Sequence, residues 1–396
     1  MPDVPKLSIC VPSRNRQDCF RQTIIDLTAN KRSDIEFVFA DNSDDPDVMD
    51  DFMRGLDDPR IVYLPSRETA LSITDNWERT VAAATGAWVC VIGDDDYVET
   101  DLPDYIESIE ARDKTVEAIG WNRAPFQWIA ARTDIKSIPF SLANRVQRHT
   151  QGQIAGRLFG WHGATYMPQS PYGIYHAAVP RRTLERILCD FSDRLFEHHT
   201  VDYAFSHKLV SISENYVFIS RPISILGVSA SSGSAAVGNS RVLRKVVDAH
   251  ARENAGRPDT AVGFPFGPDS GVAGNILSAQ TLFMSRYGTK YGKEYPGWEE
   301  RFCHAAVMEC QLARDMESYT QQYARISAAF ARWRDGKYLP LFTPQFTAAA
   351  TDKPYWGLRG DHLHIGQEVA GADTPHAFYQ VLKAILPERA TIEYAL

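Results

Sequence analysis

Residues Ala87–Tyr97, AWVCVIGDDDY, constrain this chain more than any other stretch. Ala87–Ile92 is a run of small and apolar residues, the pattern of a strand buried on both faces of a sheet. Gly93 and then Asp94, Asp95 and Asp96 stand where that strand must end. Three adjacent carboxylates repel one another, so a fold tolerates them where water or a cation neutralises them. Oxygen-only donors at a strand end suit a hard divalent ion, Mg²⁺ or Mn²⁺, which itself holds phosphate oxygens. A solvated acidic turn accounts for the same three residues taken alone.

The preceding residues alternate strand and helix signals. Leu7–Val11, Ile35–Ala40, Arg60–Leu64 and Ala87–Ile92 read as strands. Arg16–Asn30, Asp47–Leu56 and Ile73–Thr85 carry apolar residues at helical spacing, and Gly86 ends the last of them. Strands alternating with helices predict βαβ units and a mostly parallel sheet, an α/β fold. Ligands of such sheets sit at the carboxyl ends of the strands. The polar clusters Pro12–Arg16, Asp41-Asn42-Ser43 and Gly93–Asp96 all fall there. No GxGxxG or GxxxxGK[ST] follows a strand, which removes support from dinucleotide and P-loop readings.

Composition narrows the class. The chain has 396 residues, enough for two or three domains, with 44% hydrophobic and 23% charged residues, as in ordinary globular proteins. A net charge of -8 without a basic stripe argues against nucleic acid as a partner. The six cysteines form no CxxC pair, the pattern of a reduced, cytosolic protein. No apolar run of about 18 residues occurs and the N-terminus lacks a signal-peptide core, so the expectation is a cytoplasmic protein that can still touch the inner face of a membrane.

Three segments in order, KLSICVPSRNR, FVFADNSDD and LSITDNWERTVAAATGAWVCVIGDDDYV, resemble the nucleotide-binding half of the family 2 glycosyltransferases, which have the GT-A fold. The resemblance covers roughly residues 5–110. Ser170–Ile187, His198–Val210 and the following RPISILGVSASSGS resemble the acceptor half of bacterial members. The division this implies is 1–110 for nucleotide-sugar binding, 111–240 for acceptor binding and 241–396 for a helical C-terminal region. The resemblance implies an inverting transferase that uses a nucleotide-sugar donor, a divalent cation (Mn²⁺ or Mg²⁺) and a saccharide or lipid-linked saccharide acceptor, as in bacterial surface polysaccharide synthesis.

Carried over residue by residue, the resemblance implies that Pro12, Ser13, Arg14, Asn15 and Arg16 wrap the uracil and ribose of a UDP-sugar. Asp41 would accept a hydrogen bond from the uracil ring N–H, although Asp-Asn-Ser is also a common turn or helix cap. Asn76 lies on a helix facing the donor, where Asp75 is either a cap or a nucleotide contact. The aspartate triplet corresponds to the DXD motif. The family often writes D-x-D-D, and Gly93 stands here at the first position. On this reading Asp94 or Asp95 contacts ribose, and Asp96, with Asp95, ligates the metal bridging the phosphates. Asp202, in the first turn of a predicted helix, matches the general base, while a carboxylate there also satisfies the helix dipole.

The remaining chemistry-bearing residues are less committed. Trp161, His162, Tyr172 and His176 form a candidate wall for the acceptor or transferred sugar, and an aromatic core explains the rings equally well. His198-His199 and His362-x-His364 have no zinc-ligand set around them. Ser229–Ser240 is rich in Ser, Ala and Gly and reads as a loop or linker. Arg241–Arg252, Asn275–Tyr287, Trp298–Ala313, Met316–Arg334 and Pro375–Leu386 read as helices, able to form a homo-oligomer, seat a lipid-linked acceptor or cap the site. Two other functions fit parts of the pattern. A sugar-nucleotide pyrophosphorylase would want glycines in the segment CVPSRNR, and a non-catalytic glycan- or partner-binding module would not need the DDD run and Asp202 together.

Overall fold

The N-terminal elements form where the hydrophobic pattern sets them. The computed structural model describes residues 4–132, 137–230, 232, 238–253, 261, 263–347, 354–366 and 368–388. In chain order the N-terminal elements are β1 (Leu7–Ser13), α1 (Gln17–Thr28), β2 (Ile35–Asp41), α2 (Asp47–Arg54), β3 (Ile61–Leu64), α3 (Ile73–Ala83), β4 (Trp88–Val91), β5 (Tyr97–Val98) and α4 (Leu102–Glu110). There follow β6 (Ala118–Gln127), β7 (Ser137–Ser141), β8 (Val146–Thr150), α5 (Gln151–Leu158), β9 (Ala177–Pro180), α6 (Arg181–Asp190), α7 (Val201–Ile212) and β10 (Asn215–Val228). The C-terminal elements are α8 (Ser240–Glu253), α9 (Gly271–Tyr291), α10 (Trp298–Gln311), α11 (Met316–Arg332), β11 (Gly357–Arg359), β12 (His362–Gly366) and α12 (Pro375–Ile385).

The main sheet has the order β3-β2-β1-β4-β9-β6-β10-β5, with β8 also paired to β10. Its first four strands are parallel, and β9 enters antiparallel between β4 and β6. All residues of β1, β2 and β4 are buried, as expected for strands covered on both faces. One face packs on Phe20, Ile24 and Leu27 of α1 and Met49 of α2. The other packs on Val81 of α3, Leu184 and Ile187 of α6 and Phe205 and Leu209 of α7. This is the expected GT-A-like mixed sheet flanked by helices.

The C-terminal helices build a third core around Phe266, Phe302, Phe330 and Trp333. Buried Lys208 of α7 pairs with Glu197 at 2.5 Å, and Glu197 also binds Arg286 of α9, fastening the C-terminal helical region to α7. The last helix returns to the N-terminal side. Phe378, Tyr379 and Leu382 of α12 are fully buried in the core of the main sheet, and burial of Phe378 and Leu382 contributes about 1.5–3 kcal/mol each. A small antiparallel sheet, β11-β12-β7, absorbs the His362-x-His364 pattern. Half of the Ser/Ala/Gly-rich segment 229–240, residues 231 and 233–237, lies outside the described residues. Among the described residues no helix is long and apolar enough to cross a membrane.

Candidate active site

The carboxyl ends of β1, β2 and β4 bring the three polar clusters together. Ser13 ends β1 and pairs in register with Asp41 at the end of β2, so the Pro12–Arg16 loop lies over the second cluster. Asn15 has φ +54°, a left-handed conformation that Asn tolerates better than most residues. Its backbone N–H donates to Ser43 Oγ at 2.9 Å, and its side chain exchanges two hydrogen bonds of 2.9 Å with Asp44. Arg14 donates to the Asn42 carbonyl at 2.5 Å and reaches Glu253 of α8 at 2.7 Å. Asp41 is fully buried. One of its oxygens accepts from Ser43 Oγ at 2.6 Å and the other from Ser66 Oγ at 2.9 Å. Asn76 donates to the Ser13 carbonyl at 3.3 Å and accepts from Arg79 at 2.9 Å. Arg79 also donates to the Pro65 and Asp41 carbonyls, so it braces the loops. Asp75 is not the cap of α3: Ser72 Oγ accepts from the Asp75 N–H, and Asp75 pairs with Arg194 at 2.8 Å.

A cleft of about 570 Å³ opens beside these loops, lined by Arg67, Leu71, Ser72, Asp75 and Glu253 among others. Its volume suits a nucleotide-sized ligand. Asn42 and Leu71 exchange two hydrogen bonds of 2.9 Å, tying the cleft wall to the end of β2.

Asp94, Asp95 and Asp96 are all buried, and their three side chains have three different environments. Asp94 Oδ2 accepts from Ser13 Oγ at 2.7 Å, and Arg16 Nη2 lies 2.5 Å from Asp94 Oδ1. Asp95 Oδ2 accepts from Arg16 Nη1 at 2.9 Å and from the Ser229 N–H at 3.1 Å. Burial pushes the Asp94 carboxyl up to about 7 and raises that of Asp95, with Arg16 opposing both. Asp96 Oδ2 accepts from the Gly93 N–H at 2.7 Å, Tyr175 Oη at 2.7 Å and His176 at 2.9 Å, while Oδ1 accepts from the Gly227 N–H at 2.7 Å. Burial alone would raise the Asp96 carboxyl, but these donors outweigh it and hold it below the usual range.

The donors to Asp96 are themselves fixed. Burial lowers the His176 imidazole, with Asp96 opposing the shift. To serve Asp96, His176 carries its proton on Nε2, so Nδ1 accepts from Ser224 Oγ at 2.8 Å. Ser224 Oγ in turn accepts from Trp121 Nε1 at 2.8 Å. Ile174 and His176 have φ of +60° and +52°, strained values for residues with side chains. The segment is held there by β4, through Val91 N–H to Ile174 O at 3.0 Å and His176 N–H to Val91 O at 2.9 Å. A Cβ added at Gly227 would lie 1.7 Å from the Asp95 carbonyl oxygen, so only glycine lets β10 approach the acidic loop.

Asp202 lies in the first turn of α7, half-buried. Burial raises its carboxyl, opposed by the Tyr203 N–H and the Arg123 guanidinium. Its neighbours His198 and His199 bond Ser278 and Asn275 of α9, and Glu197 is held by Lys208. Two of the four residues read as a sugar wall are core residues. Trp161 is 1% exposed, donates to Gln280 at 3.0 Å and packs on Phe302. Tyr172 is fully buried against Tyr216, with its hydroxyl on His149 at 2.9 Å. Their rings fill the interior. His162 is exposed, and His176 lies beneath Asp96. Sequence reasoning missed Gly227, Ser224 and Arg123, which lie far along the chain from the DDD run. The long-range pairing of β6 with β10 brings them in.

Residues 8–159 match the family model described as Glycosyl transferase family 2. No curated protein matches the chain. Among solved structures, that of S. aureus TarS 1-349 is 14% identical over 85% of this chain and 89% of that chain, with a TM-score of 0.41. The same protein in complex with UDP-GlcNAc is 13% identical over 85% of this chain and 89% of that chain, with a TM-score of 0.44.

Proposed function

We propose, from the match of residues 8–159 to the model described as Glycosyl transferase family 2, that the chain transfers a sugar from a UDP-sugar to a hydroxyl of a saccharide or lipid-linked saccharide, with inversion. The observation that carries this reading is the meeting of three loops, after β1, β2 and β4, around Asp41 and the DDD cluster, next to a nucleotide-sized cleft. The Pro12–Arg16 loop and Asn76 border the nucleotide, and Asp41, oriented by Ser43 and Ser66, meets the uracil N–H. Asp94 and Asp95 hold the ribose side.

A divalent cation fits the chemistry of these residues. Three carboxyl groups are buried side by side and Arg16 pairs with two of them, a cluster of oxygen donors that a cation would complement. Among the described residues no three His, Cys, Asp or Glu side chains are grouped so as to hold a metal ion by themselves. That suits an ion such as Mg²⁺, which takes one or two carboxylates and fills its shell with substrate phosphates and water. Asp95 and Asp96 would hold it, and when bound it supplies charge neutralisation to the departing diphosphate.

The chain's own residues do the rest. Asp202, its carboxyl raised by burial, takes the proton of the acceptor hydroxyl as the acceptor oxygen attacks the anomeric carbon. Tyr175, His176 and Gly227 keep Asp96 ionised and aimed. A UDP-release assay against a panel of UDP-sugars, with Mn²⁺ and a saccharide acceptor, tests the proposal. Acceptor-dependent release with one donor is the expected result, and formation of UDP-sugar from UTP and sugar phosphate would instead make the protein a pyrophosphorylase.

A further inference from the structure

Helix α3 touches both halves of the proposed reaction. Its Asn76 donates to the Ser13 carbonyl and its Arg79 to the Asp41 carbonyl, which ties the helix to the loops after β1 and β2. Its Asp75 and Glu78 hold residues 194–197, just ahead of the helix that carries Asp202. Asp75 pairs with Arg194 at 2.8 Å, and Glu78 accepts the Leu195 and Phe196 N–H groups at 3.0 and 3.1 Å. The same residues are fixed to α7 by buried Lys208, which donates to the Arg194 carbonyl at 2.7 Å and pairs with Glu197. Residues 194–197 are therefore a spacer clamped between α3 and α7.

Trp77 of α3 lies within this clamp. Its ring meets Phe196 edge-on, with centroids 5.6 Å apart, and Tyr175 at 5.8 Å. Phe196 is fully buried and packs on Phe205 of α7 at 5.9 Å. Phe205 follows Asp202 by three residues and shares its side of the helix. Tyr175 donates to Asp96 at 2.7 Å. A line of contacts thus runs from Asp96 through Tyr175, Trp77, Phe196 and Phe205 to the first turns of α7. The opposite support of those turns is tight, since a Cβ at Gly173 would lie 2.8 Å from Ser206 Oγ and 3.2 Å from the Asp202 carbonyl oxygen. Close-packed interiors pass displacements on, because they hold little free volume to absorb them. We propose that Trp77 is a positioning residue for Asp202, its indole setting the reach between the base and the acidic loop. This rests on the glycosyltransferase reading above. Trp77 touches no reacting atom in it and exchanges no proton; it acts through Phe196 and Phe205.

The test is a double-mutant cycle. Turnover is measured as UDP release, with Mn²⁺, a saccharide acceptor and the UDP-sugar selected from the panel above. The proteins are the wild-type chain, Trp77→Leu, Trp77→Phe, Asp202→Asn and the two double variants. UDP affinity is read by calorimetry and folding by thermal melts. In Trp77→Leu, kcat should fall about 10–100-fold, as for a base displaced by the order of 1 Å. UDP affinity should stay within about 3-fold of wild type, because the loss is confined to the transition state. Trp77→Phe keeps a ring against Phe196 and should lose less, about 5–10-fold. In the Asp202→Asn background either substitution should cost less than about 2-fold more, because an amide that takes no proton gains nothing from alignment. Losses that multiply in full, or wild-type kcat in both Trp77 variants, overturn the inference alone. A fall in UDP affinity as large as the fall in kcat also overturns it and assigns Trp77 to the donor pocket. If Trp77→Leu does not melt cooperatively, the Trp77→Phe arm of the cycle decides. Near-normal turnover in Asp202→Asn removes the base and the inference together. A wild-type chain that neither binds nor releases UDP overturns the glycosyltransferase reading and the inference with it.

Discussion

His176 Nε2 lies 2.9 Å from Asp96 Oδ2 with both side chains buried, and this pair makes the last aspartate of the triplet the anchor of the acidic loop. The Trp121–Ser224–His176 chain determines which histidine nitrogen faces the carboxylate.

Removing the histidine tests that anchor. In His176→Ala, Asp96 loses one of its four donors, and Ser224 loses its acceptor. The expected destabilisation is about 1–3 kcal/mol, the usual consequence of leaving a buried charged group short of a partner. It is read as a lower denaturant midpoint, together with weaker UDP binding. Wild-type stability and wild-type UDP affinity in the same variant would show that the pair does not hold the loop.

Gly227 is a second, steric test. A methyl group there meets the Asp95 carbonyl at 1.7 Å, so in Gly227→Ala either β10 or the acidic loop must shift. Donor turnover should fall at least about 10-fold, since misplacement of the order of 1 Å is costly in an aligned site. A Gly227→Ala protein with normal kcat and UDP affinity would contradict this packing.

Asp202→Asn separates chemistry from binding. The amide keeps the shape of the side chain but cannot take a proton. Turnover should drop about 10²–10⁴-fold while UDP affinity stays near wild type. Near-normal turnover would move the base elsewhere. Loss of folding would make Asp202 a helix-terminal residue only.

Glu309 predicts a pH effect remote from the site. Its carboxylate, 1% exposed, accepts the Val272 and Ala273 N–H groups at 2.6 and 2.8 Å and so closes the start of α9. Burial pushes its carboxyl up to about 7, with those N–H groups opposing. The folded chain therefore holds a proton that the unfolded chain has released between about pH 4.5 and 7. Stability from this group is complete below about pH 4.5 and is lost as pH rises through 7. The loss is at most about 3 kcal/mol, from about 1.4 kcal/mol per pH unit. Melts from pH 5 to 8 should show this downward slope, and Glu309→Gln should flatten it. Parallel slopes in both proteins would remove Glu309 as its source.

How much was legible in the sequence follows from the range of each interaction. The strands β1, β2 and β4 were readable because burial on both faces leaves apolar runs, and the polar clusters at their ends marked the cleft. Helices α9 to α12 showed their 3.6-residue period. The pairing of β6, β9 and β10 was not readable, because partners such as Asp96 and Gly227 lie far apart in the chain and Gly227 is not unusual where it stands. Trp161 and Tyr172 sit among glycines and prolines, so an interior ring and an exposed ring have the same local sequence. Arg16 was visible as part of the Pro12–Arg16 loop, but its place as the counter-ion of Asp94 and Asp95 required the fold.

The central claim is that this site binds a uridine diphosphate together with a divalent cation. The most direct measurement is a calorimetric titration of UDP into EDTA-treated protein, before and after Mn²⁺ is added back. The account predicts saturable, one-to-one UDP binding that strengthens with Mn²⁺ and is lost in Asp96→Ala. No UDP binding with or without Mn²⁺, in a protein that melts cooperatively, would contradict it.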